Sequence, residues 1–178
     1  MSAAGDGGGD RGAGAPLYVA VIGSGDATDE QITLAEQVGG EVARAGAVLV
    51  CGGLGGVMEA ACRGAKESGG TTVGILPGSD RKAANRHVDV AVATGLGEAR
   101  NAIVVASADA VVAVGGEFGT LSEIAFALRA GKPVVGLATW ELHREGRPVD
   151  GVLRATDAPS AVGLALRSTR ERQQGREH

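Results

Sequence analysis

Two glycine-rich turns are the part of this sequence best suited to bind a ligand. Residues 51–56 read Cys-Gly-Gly-Leu-Gly-Gly, and residues 115–120 read Gly-Gly-Glu-Phe-Gly-Thr. Each turn follows an apolar, strand-like run and precedes a helix-like stretch. Glycine lets the backbone bend sharply and lets a ligand approach closely, and the free N–H groups of the following helix favour an anion. The pattern predicts a site for a phosphorylated, nucleotide-like molecule.

Glu123 is a carboxylate that follows the second turn, one helical turn after Thr120. In one interpretation the Thr-Leu-Ser-Glu segment is a capping box, and Glu123 accepts a bond from a backbone N–H. In the other, the carboxylate faces the ligand and acts on a sugar carbon or on its leaving group. The spacing alone favours the cap.

Arg100 stands at the predicted start of a helix, where the helix dipole disfavours a cation by about 0.3–1 kcal/mol. No local rule asks for an arginine there. A nearby anion would explain it, because the guanidinium fork matches phosphate or carboxylate. A surface or ion-paired arginine is the equal alternative, and Asn101 is its expected hydrogen-bonding neighbour.

The other candidate binding residues follow the ends of several predicted strands. Besides Asn101, those expected to hold phosphate or sugar are Ser24, Gly52, Gly53, Gly115, Gly116, Gly119 and Thr120. A separate basic loop carries Arg81, Lys82 and Arg86, for which anion steering is one interpretation. A solvated charged loop is the commoner explanation of such a cluster.

The sequence lacks the residues that several common kinds of site require. Thr28 stands where a dinucleotide site has its third glycine, and the second strand ends in Cys51-Gly52 instead of an acid. The Gly-Lys-Ser/Thr of phosphate-binding-loop ATPases is absent. Cys51 has no His/Asp partner pattern for a nucleophile, and the three histidines have no metal-ligand spacing. We therefore predict neither a metal nor a bound cofactor.

Composition limits the class of protein. The chain has 178 residues, 44% hydrophobic and 2% aromatic, which suits one domain with a buried parallel sheet built from Val, Ala, Leu and Ile. A net charge of −4 predicts no general attraction to nucleic acid or to an anionic membrane. We find no membrane-spanning run, no signal peptide and no disulfide framework, so we predict a reduced, cytoplasmic protein.

Strand-like and helix-like segments alternate between two polar ends. We expect residues 1–15 to form a flexible glycine-rich tail, residues 16–167 a single domain, and residues 168–178 a polar C-terminal tail. The alternation predicts an α/β fold with a doubly wound, mostly parallel sheet and helices on both faces. Ligands of such sheets bind beyond the carboxyl ends of the strands, where the glycine turns fall. The strand over residues 88–93 has no clear place, because no clear helix precedes it.

Five segments, in order, resemble the LOG (Lonely Guy) family, long labelled "possible lysine decarboxylases". They are residues 52–59, 74–78, 98–101, 115–123 and 131–134, and the run that ends in Gly-Thr-x-x-Glu is the specific one. The resemblance covers about residues 17–140. It implies a Rossmann-like nucleotide-binding fold and a homodimer. In the hydrolases of the family, a nucleoside 5′-monophosphate is cleaved at its N-glycosidic bond to free base and ribose 5-phosphate.

Carried over by position, the resemblance implies that Arg100 and Glu123 are the catalytic pair and that the second turn with Thr120 binds phosphate. Two residues depart from the hydrolase pattern. Val114 stands where the hydrolases usually have proline, and Asn101 where they usually have lysine. Both departures are similar to a sister branch that includes molybdenum cofactor carrier proteins, which bind a phosphorylated pterin without transforming it.

The leading prediction is thus a phosphoribohydrolase, and the alternative is a binding or carrier protein for molybdenum cofactor or a nucleotide signal. A pyridoxal phosphate lysine decarboxylase is not expected. Such an enzyme needs a lysine for its Schiff base, and among Lys66, Lys82 and Lys132 only Lys82, in a loop, could reach the site. The expected partners are a small phosphorylated ligand and a second copy of the chain. The dimer would use the helices over residues 98–107 and 120–130, although their small apolar residues could equally cover the sheet.

Overall fold

Short runs of Val, Ala, Ile and Leu form the central sheet of the computed structural model, which describes residues 15–175. In this part of the chain the seven strands of the sheet are all parallel, in the order β4-β3-β2-β1-β5-β6-β9. A small antiparallel hairpin forms β7 and β8. The strands are β1 (Tyr18–Gly23), β2 (Val48–Cys51), β3 (Thr72–Leu76), β4 (Val90–Ala93), β5 (Ala110–Val114), β6 (Val134–Leu137), β7 (His143–Arg144), β8 (Arg147–Pro148) and β9 (Val152–Arg154).

Five α-helices cover the sheet on both faces, as the alternating pattern predicted. One core cluster joins the sheet to α1, α2 and α5, and a second joins it to α3 and α4. The helices are α1 (Asp29–Arg44), α2 (Val57–Glu67), α3 (Asn101–Ala106), α4 (Phe118–Arg129) and α5 (Ala158–Gln174), with 3₁₀ turns at Arg81–Ala83 and Gly97–Arg100. The predicted doubly wound α/β fold is confirmed.

The central strands are buried on both sides. In β1, Val19 and Val21 contribute to the first core cluster, whereas Ala20 and Ile22 contribute to the second. This division follows from the strand geometry, because successive side chains point to opposite faces. Strands buried in this way read as continuous apolar runs, which is why composition alone indicated a parallel sheet.

The direction of winding reverses between β1 and β5. From β1 the chain winds outward through β2 and β3 to β4, and it then returns to place β5 on the other side of β1. Beyond the carboxyl ends of these two strands lies the crevice where open parallel sheets bind ligands. Both glycine-rich turns reach this crevice, the first from β2 and the second from β5.

The helix starts divide into two groups. Thr28 and Gln31 form the predicted capping box of α1, and the Asp157 carboxylate accepts the Ser160 N–H at the start of α5. Helices α2 and α4 begin at the glycine turns without any side-chain cap. The predicted capping box of Thr120 and Glu123 is wrong, because α4 begins earlier, at Phe118, with Glu117 as its N-cap residue.

The ends of the domain differ from the expectation. The predicted polar tail is largely helix, since α5 continues to Gln174. It continues because it packs: Thr169 is buried, and the Arg172 guanidinium donates a hydrogen bond to the Ala130 carbonyl. Of the predicted N-terminal tail, residues 1–14 lie outside the described part of the chain. Within residues 15–175 we find no helix with the length and apolar character needed to cross a membrane.

The segment over residues 88–93, which had no clear place in the predicted order, contains an edge strand of the sheet. It forms β4, which pairs parallel with β3 at the edge of the sheet after a connection whose helical part is one 3₁₀ turn. The predicted helix over residues 98–107 is a 3₁₀ turn followed by the short α3. Arg100 is the last residue of that 3₁₀ turn, and this position turns its side chain toward the crevice.

Candidate functional site

A cavity of about 330 Å³ lies at the point where the winding reverses, and we call it the edge pocket. Its walls come from the end of β1 and the loop after it, the first turn, the start of α2, the 3₁₀ turn before α3 and the start of α4. Its polar lining is Ser24, Glu98, Arg100, Asn101, Glu117, Thr120 and Glu123, and backbone at Gly23, Gly25, Gly52 and Gly119 completes most of the wall.

Among residues 15–175, Arg100 is the only cation in the wall of the edge pocket, and 6% of its surface is exposed. One terminal nitrogen, Nη1, donates to the Asn101 Oδ1 at 2.5 Å. Nε is buried and has no hydrogen-bond partner. An unpaired buried donor costs about 1–3 kcal/mol, so this guanidinium is held ready for an acceptor that the chain itself does not supply.

Gly52 makes room for this guanidinium. A Cβ at position 52 would lie 2.7 Å from both terminal nitrogens of Arg100 and 2.6 Å from the Met58 sulfur. The absence of a side chain therefore lets Arg100 lie against the backbone of the first turn. Asn101 is in turn tied weakly to Glu98, since its Nδ2 donates to the Glu98 Oε2 at 3.4 Å.

Glu123 is the second buried ionisable group of the pocket, 6% exposed. Its carboxyl group makes no hydrogen bond or ion pair with any of residues 15–175. Burial raises the pKa of Glu123 to about 8, Arg100 acts in the opposite direction, and Glu98 adds to the rise. The carboxyl group is therefore mostly protonated at neutral pH and can donate a hydrogen bond or a proton.

The second turn shapes the backbone around Glu123. Gly116 has a φ of 107°, and a Cβ there would lie 2.4 Å from Thr120, so the turn requires glycine on both counts. Gly115 is fixed from the other side, because its N–H donates to Leu137 and its carbonyl accepts the Thr139 hydroxyl. These contacts place Gly119 and Thr120 on the pocket wall at the start of α4.

The structure brings most of the predicted site residues together and leaves some outside. The edge pocket is lined by Ser24, Gly52, Arg100, Asn101, Gly119, Thr120 and Glu123. Gly53, Gly115 and Gly116 do not line it but shape the turns behind it. Arg81, Lys82 and Arg86 are also outside its wall, because their loop leads to β4 at the sheet edge, three strands from β1. Steering by this loop stays a prediction.

Three wall residues with polar or sulfur-bearing side chains were not predicted as site residues. Glu98 and Glu117 add carboxylates to the pocket, and Met58 adds a thioether from the first turn of α2. Glu98 could have been found from its place three residues before Asn101, a spacing at which helical side chains meet. For Met58 and Glu117 the sequence carries no comparable signal.

An aromatic pair lies beside the pocket rim. Phe118, between the wall residues Glu117 and Gly119, is 79% exposed, and its ring centroid is 5.7 Å from that of Trp140. The indole Nε1 of Trp140 donates to the Glu117 carbonyl at 3.3 Å. Trp140 is the only tryptophan of the chain.

The lysines and metal-ligating residues lie elsewhere or apart. Lys66 pairs with Asp89, and the Lys132 ammonium donates to three carbonyls at and just after the end of α3, so neither lines the edge pocket. Lys82 is exposed in the β3–β4 loop. In the described part of the chain, no three His, Cys, Asp or Glu side chains are grouped so that they could hold a metal ion.

The chain is similar to known proteins in sequence. The sequence profile described as the SLOG cluster4 family matches residues 16–162. An uncharacterized protein of Archaeoglobus fulgidus is 48% identical over 121 residues, which are 68% of this chain and 80% of that protein.

Two solved structures are similar over most of the fold. The molybdenum cofactor binding protein from Rippkaea orientalis has a TM-score of 0.77 and 37% identity, covering 86% of this chain and 96% of that one. The Moco carrier protein from Chlamydomonas reinhardtii has a TM-score of 0.76 and 37% identity, covering 88% of this chain and 99% of that one. These matches confirm the predicted resemblance, including the carrier branch.

Proposed function

The chain belongs to the SLOG cluster4 family, and from this premise we propose that its edge pocket binds a phosphorylated heterocycle without transforming it, with molybdenum cofactor as the leading ligand. Two similar proteins, from Rippkaea orientalis and Chlamydomonas reinhardtii, bind or carry this cofactor. The departures at Val114 and Asn101 from the hydrolase pattern support the same choice. Binding in place of catalysis thus becomes the first function to test.

One observation carries the proposal: the pocket holds two buried ionisable groups with unused hydrogen-bonding capacity. The Arg100 Nε has no acceptor, and the Glu123 carboxyl group has no hydrogen-bond partner among the described residues, although the Arg100 charge acts on it. Leaving such groups unpaired destabilises the free protein. A ligand phosphate would accept the Arg100 N–H, and the protonated Glu123 would donate to a second acceptor atom of the same ligand.

Backbone groups add to this anion site. The first N–H groups of a helix have no acceptor within the helix, and neither α2 nor α4 supplies a side-chain cap. Gly119 and Thr120 present the start of α4 to the pocket wall. Helix N-termini with free N–H groups favour phosphate.

The charge of the pocket limits the anion it accepts. With Glu123 protonated, the carboxylates of Glu98 and Glu117 and the Arg100 cation together give the pocket wall a net formal charge of −1. A compact phosphate held by Arg100 and the helix start is therefore favoured over a long polyphosphate, which would meet these carboxylates.

A second candidate function, N-glycosidic hydrolysis, rests on the protonation of Glu123. A carboxylic acid with a pKa of about 8 can protonate a departing base at neutral pH, which is the task of a general acid. The candidate requires that the carboxyl group reach the leaving nitrogen of a bound nucleoside 5′-monophosphate.

One experiment separates the two functions. The purified protein is first analysed by mass spectrometry under native conditions for a co-purified ligand. It is then incubated with a panel of nucleoside 5′-monophosphates, and free base is measured by chromatography. Binding of the pterin cofactor without release of any base supports the carrier function. Release of base that Glu123→Gln abolishes would establish the hydrolase instead, and failure to bind either ligand class would contradict both.

We also propose that the protein forms a homodimer through the outer face of α3 and α4. Phe126 on α4 is 41% exposed, and Ala125 is exposed beside it. Val105 and Ala127, which lie on the same two helices, are buried against the sheet of their own chain. Light scattering should give twice the chain mass, and Phe126→Asp should reduce it to one chain. A monomeric wild-type protein would contradict the proposal.

A further inference from the structure

Cys51 and Cys62, the only cysteines of the chain, face each other in the core behind the edge pocket. Cys51 ends β2 and Cys62 lies in the middle of α2. Their sulfur atoms are 3.4 Å apart, and both side chains are fully buried. Both thiols are free in this structure, so the fold brings two reducing groups into contact without joining them.

The two thiols have unequal surroundings. The Cys51 sulfur accepts the Gly53 N–H at 3.3 Å. The hydrogen bond from Cys62, together with that from Gly53, holds the pKa of the Cys51 thiol below its usual value. The same pairing, together with burial, raises the pKa of Cys62. Cys51 is therefore the thiol that loses its proton first and the one that attacks an oxidant.

We propose that Cys51 and Cys62 form an intramolecular disulfide when the protein meets a peroxide, and that this bond weakens anion binding in the edge pocket. The Cys51 thiolate attacks one peroxide oxygen and the O–O bond breaks, so Cys51 becomes a sulfenic acid. The departing hydroxide takes up the proton that the thiol had lost and leaves as the first water. The Cys62 sulfur then attacks the Cys51 sulfur, its proton departs with the displaced hydroxide as a second water, and the S–S bond forms. Two thiols are oxidised and one peroxide is reduced.

The edge pocket is the cavity next to the dithiol. The residue after Cys51, Gly52, is part of the pocket wall, and so is Met58, one turn before Cys62 on α2. The space beside Gly52 is filled by the Arg100 guanidinium and the Met58 thioether, which cover this part of the wall. Because both cysteines are fully buried, oxidation requires these side chains to move aside and let a small peroxide reach Cys51.

The same wall couples the dithiol to the ligand, and this half of the inference rests on the proposed function. A disulfide has sulfur atoms about 2.05 Å apart, so the two sulfur atoms, now 3.4 Å apart, must approach by more than about 1 Å. The end of β2 and the middle of α2 take up part of this movement, because both cysteine side chains are packed in the core. Gly52 moves with the end of β2, and Met58 moves with α2. The Arg100 guanidinium and the Met58 sulfur both lie against Gly52. Arg100 then loses the geometry that holds it ready for an anion.

The first test needs no variant. The protein is treated with hydrogen peroxide, remaining thiols are alkylated, and the chain is cut with trypsin. Arg44 and Arg63 are the cleavage sites that bound residues 45–63, a peptide that contains both cysteines and no internal Lys or Arg. We expect this peptide to lose two hydrogen atoms, to escape alkylation and to recover both thiols with dithiothreitol. Full alkylation after peroxide, or sulfonic acids without the disulfide, would overturn the proposal.

The second test uses Cys62→Ala as the matched control. Without its partner, Cys51 should stop at the sulfenic acid and react with dimedone, whereas the wild-type protein should not accumulate the dimedone adduct. An equal dimedone yield in both proteins would show that Cys62 does not resolve the sulfenic acid. If Cys62→Ala fails to fold, the reversal of the wild-type disulfide by dithiothreitol is the deciding measurement.

The third test measures the coupling. Inorganic phosphate and adenosine 5′-monophosphate are titrated into reduced and oxidised wild-type protein, and we expect at least about tenfold weaker binding after oxidation, restored by dithiothreitol. Equal binding in both states would overturn the coupling. If neither state binds either probe, the proposed function fails, and amide hydrogen exchange over residues 52–58 decides the coupling alone. Faster exchange in the oxidised protein supports it, and unchanged exchange rejects it.

Discussion

The turn after β2 and the turn after β5 both lead into a helix without a side-chain cap, yet they build different parts of the edge pocket. The first turn contributes space, since Gly52 leaves the room in which the Arg100 guanidinium lies. The second contributes functional groups, since Thr120 and Glu123 follow it on α4 and face the pocket. The guanidinium itself comes from neither turn but from the chain just before α3.

This difference teaches that similar local sequences can have complementary roles in one site. Where a turn only provides space, ligand binding depends on whether a side chain is added in that space and does not depend on the charge of the turn. A turn that positions a carboxyl group is sensitive to chemistry and to pH. Substitutions can therefore separate the two roles, and the expected effects differ in size.

The largest effect is expected from filling the space of the first turn. Gly52→Val would place carbon atoms within 3 Å of the guanidinium and of Met58, and should weaken phosphate binding about 100-fold. The matched control is Gly55→Ala in the same turn, where a Cβ meets no atom within 4 Å. Isothermal titration and thermal unfolding of both variants check the result. Equal binding by Gly52→Val would mean that the turn does not shape the site.

A smaller loss is expected from Arg100→Lys. The charge stays, but the lysine lacks the planar fork and the Nε–H donor, so binding should weaken about tenfold. Arg81→Lys, an equivalent change outside the edge pocket, should leave affinity for a phosphate monoester unchanged. If both changes weakened binding equally, long-range attraction would matter more than the geometry of the guanidinium.

Glu123→Gln should change the pH dependence of stability. The folded protein holds the Glu123 proton with a pKa of about 8, above the ordinary value of 4.5. The stability it contributes in its protonated form is thus fully present below about pH 4.5 and lost as the pH rises through about 8. Glutamine cannot ionise, so the variant should be more stable than wild type at pH 9, by on the order of a few kcal/mol, and match it near pH 4.

Thermal unfolding across this pH range measures the difference. Binding of a phosphate monoester should also weaken above pH 8 in the wild-type protein and stay level in Glu123→Gln, because only the ionised carboxylate repels the anion. A constant stability difference from pH 4 to pH 9 would show that Glu123 does not titrate in this range.

The smallest effect is expected at a capped helix. Thr28→Ala removes the capping box of α1 and should cost about 1 kcal/mol of stability, measured by denaturant unfolding. It should not change phosphate affinity, because Thr28 does not line the edge pocket. A loss of phosphate affinity in Thr28→Ala would show that the start of α1 also contributes to ligand binding.

The fold and half of the site were readable in the sequence for physical reasons. Apolar runs in the sequence indicate buried parallel strands. Arg100, at a helix start where no local rule explains an arginine, indicated the cation of the site. The spacing alone favoured a cap for Glu123, because Thr120 resembles an N-cap residue, and only the family resemblance indicated a role in the site. The actual start of α4 depends on the backbone of Gly116, which has a positive φ that the sequence permits but does not require.

Strand order limited the rest. Arg81, Lys82 and Arg86 were expected near the ligand because their loop follows β3. The sequence does not reveal that this loop leads to the outer edge of the sheet and that the three side chains stay outside the wall of the edge pocket, so their steering role stays a prediction. The end of α5 was missed for a similar reason. Thr169 is buried, and Arg172 donates a hydrogen bond to the Ala130 carbonyl, far away in the chain. Such contacts between distant segments are invisible to local patterns.

The lone indole beside the pocket rim makes the protein its own optical probe. Trp140 donates to the carbonyl of Glu117, a wall residue, and no second indole contributes to the emission. A pterin or purine ring that enters the edge pocket should therefore quench or shift this fluorescence, and Trp140→Phe should silence the signal while retaining affinity. Ligand screening then requires neither label nor immobilisation, only an excitation wavelength at which the ligand itself is dark.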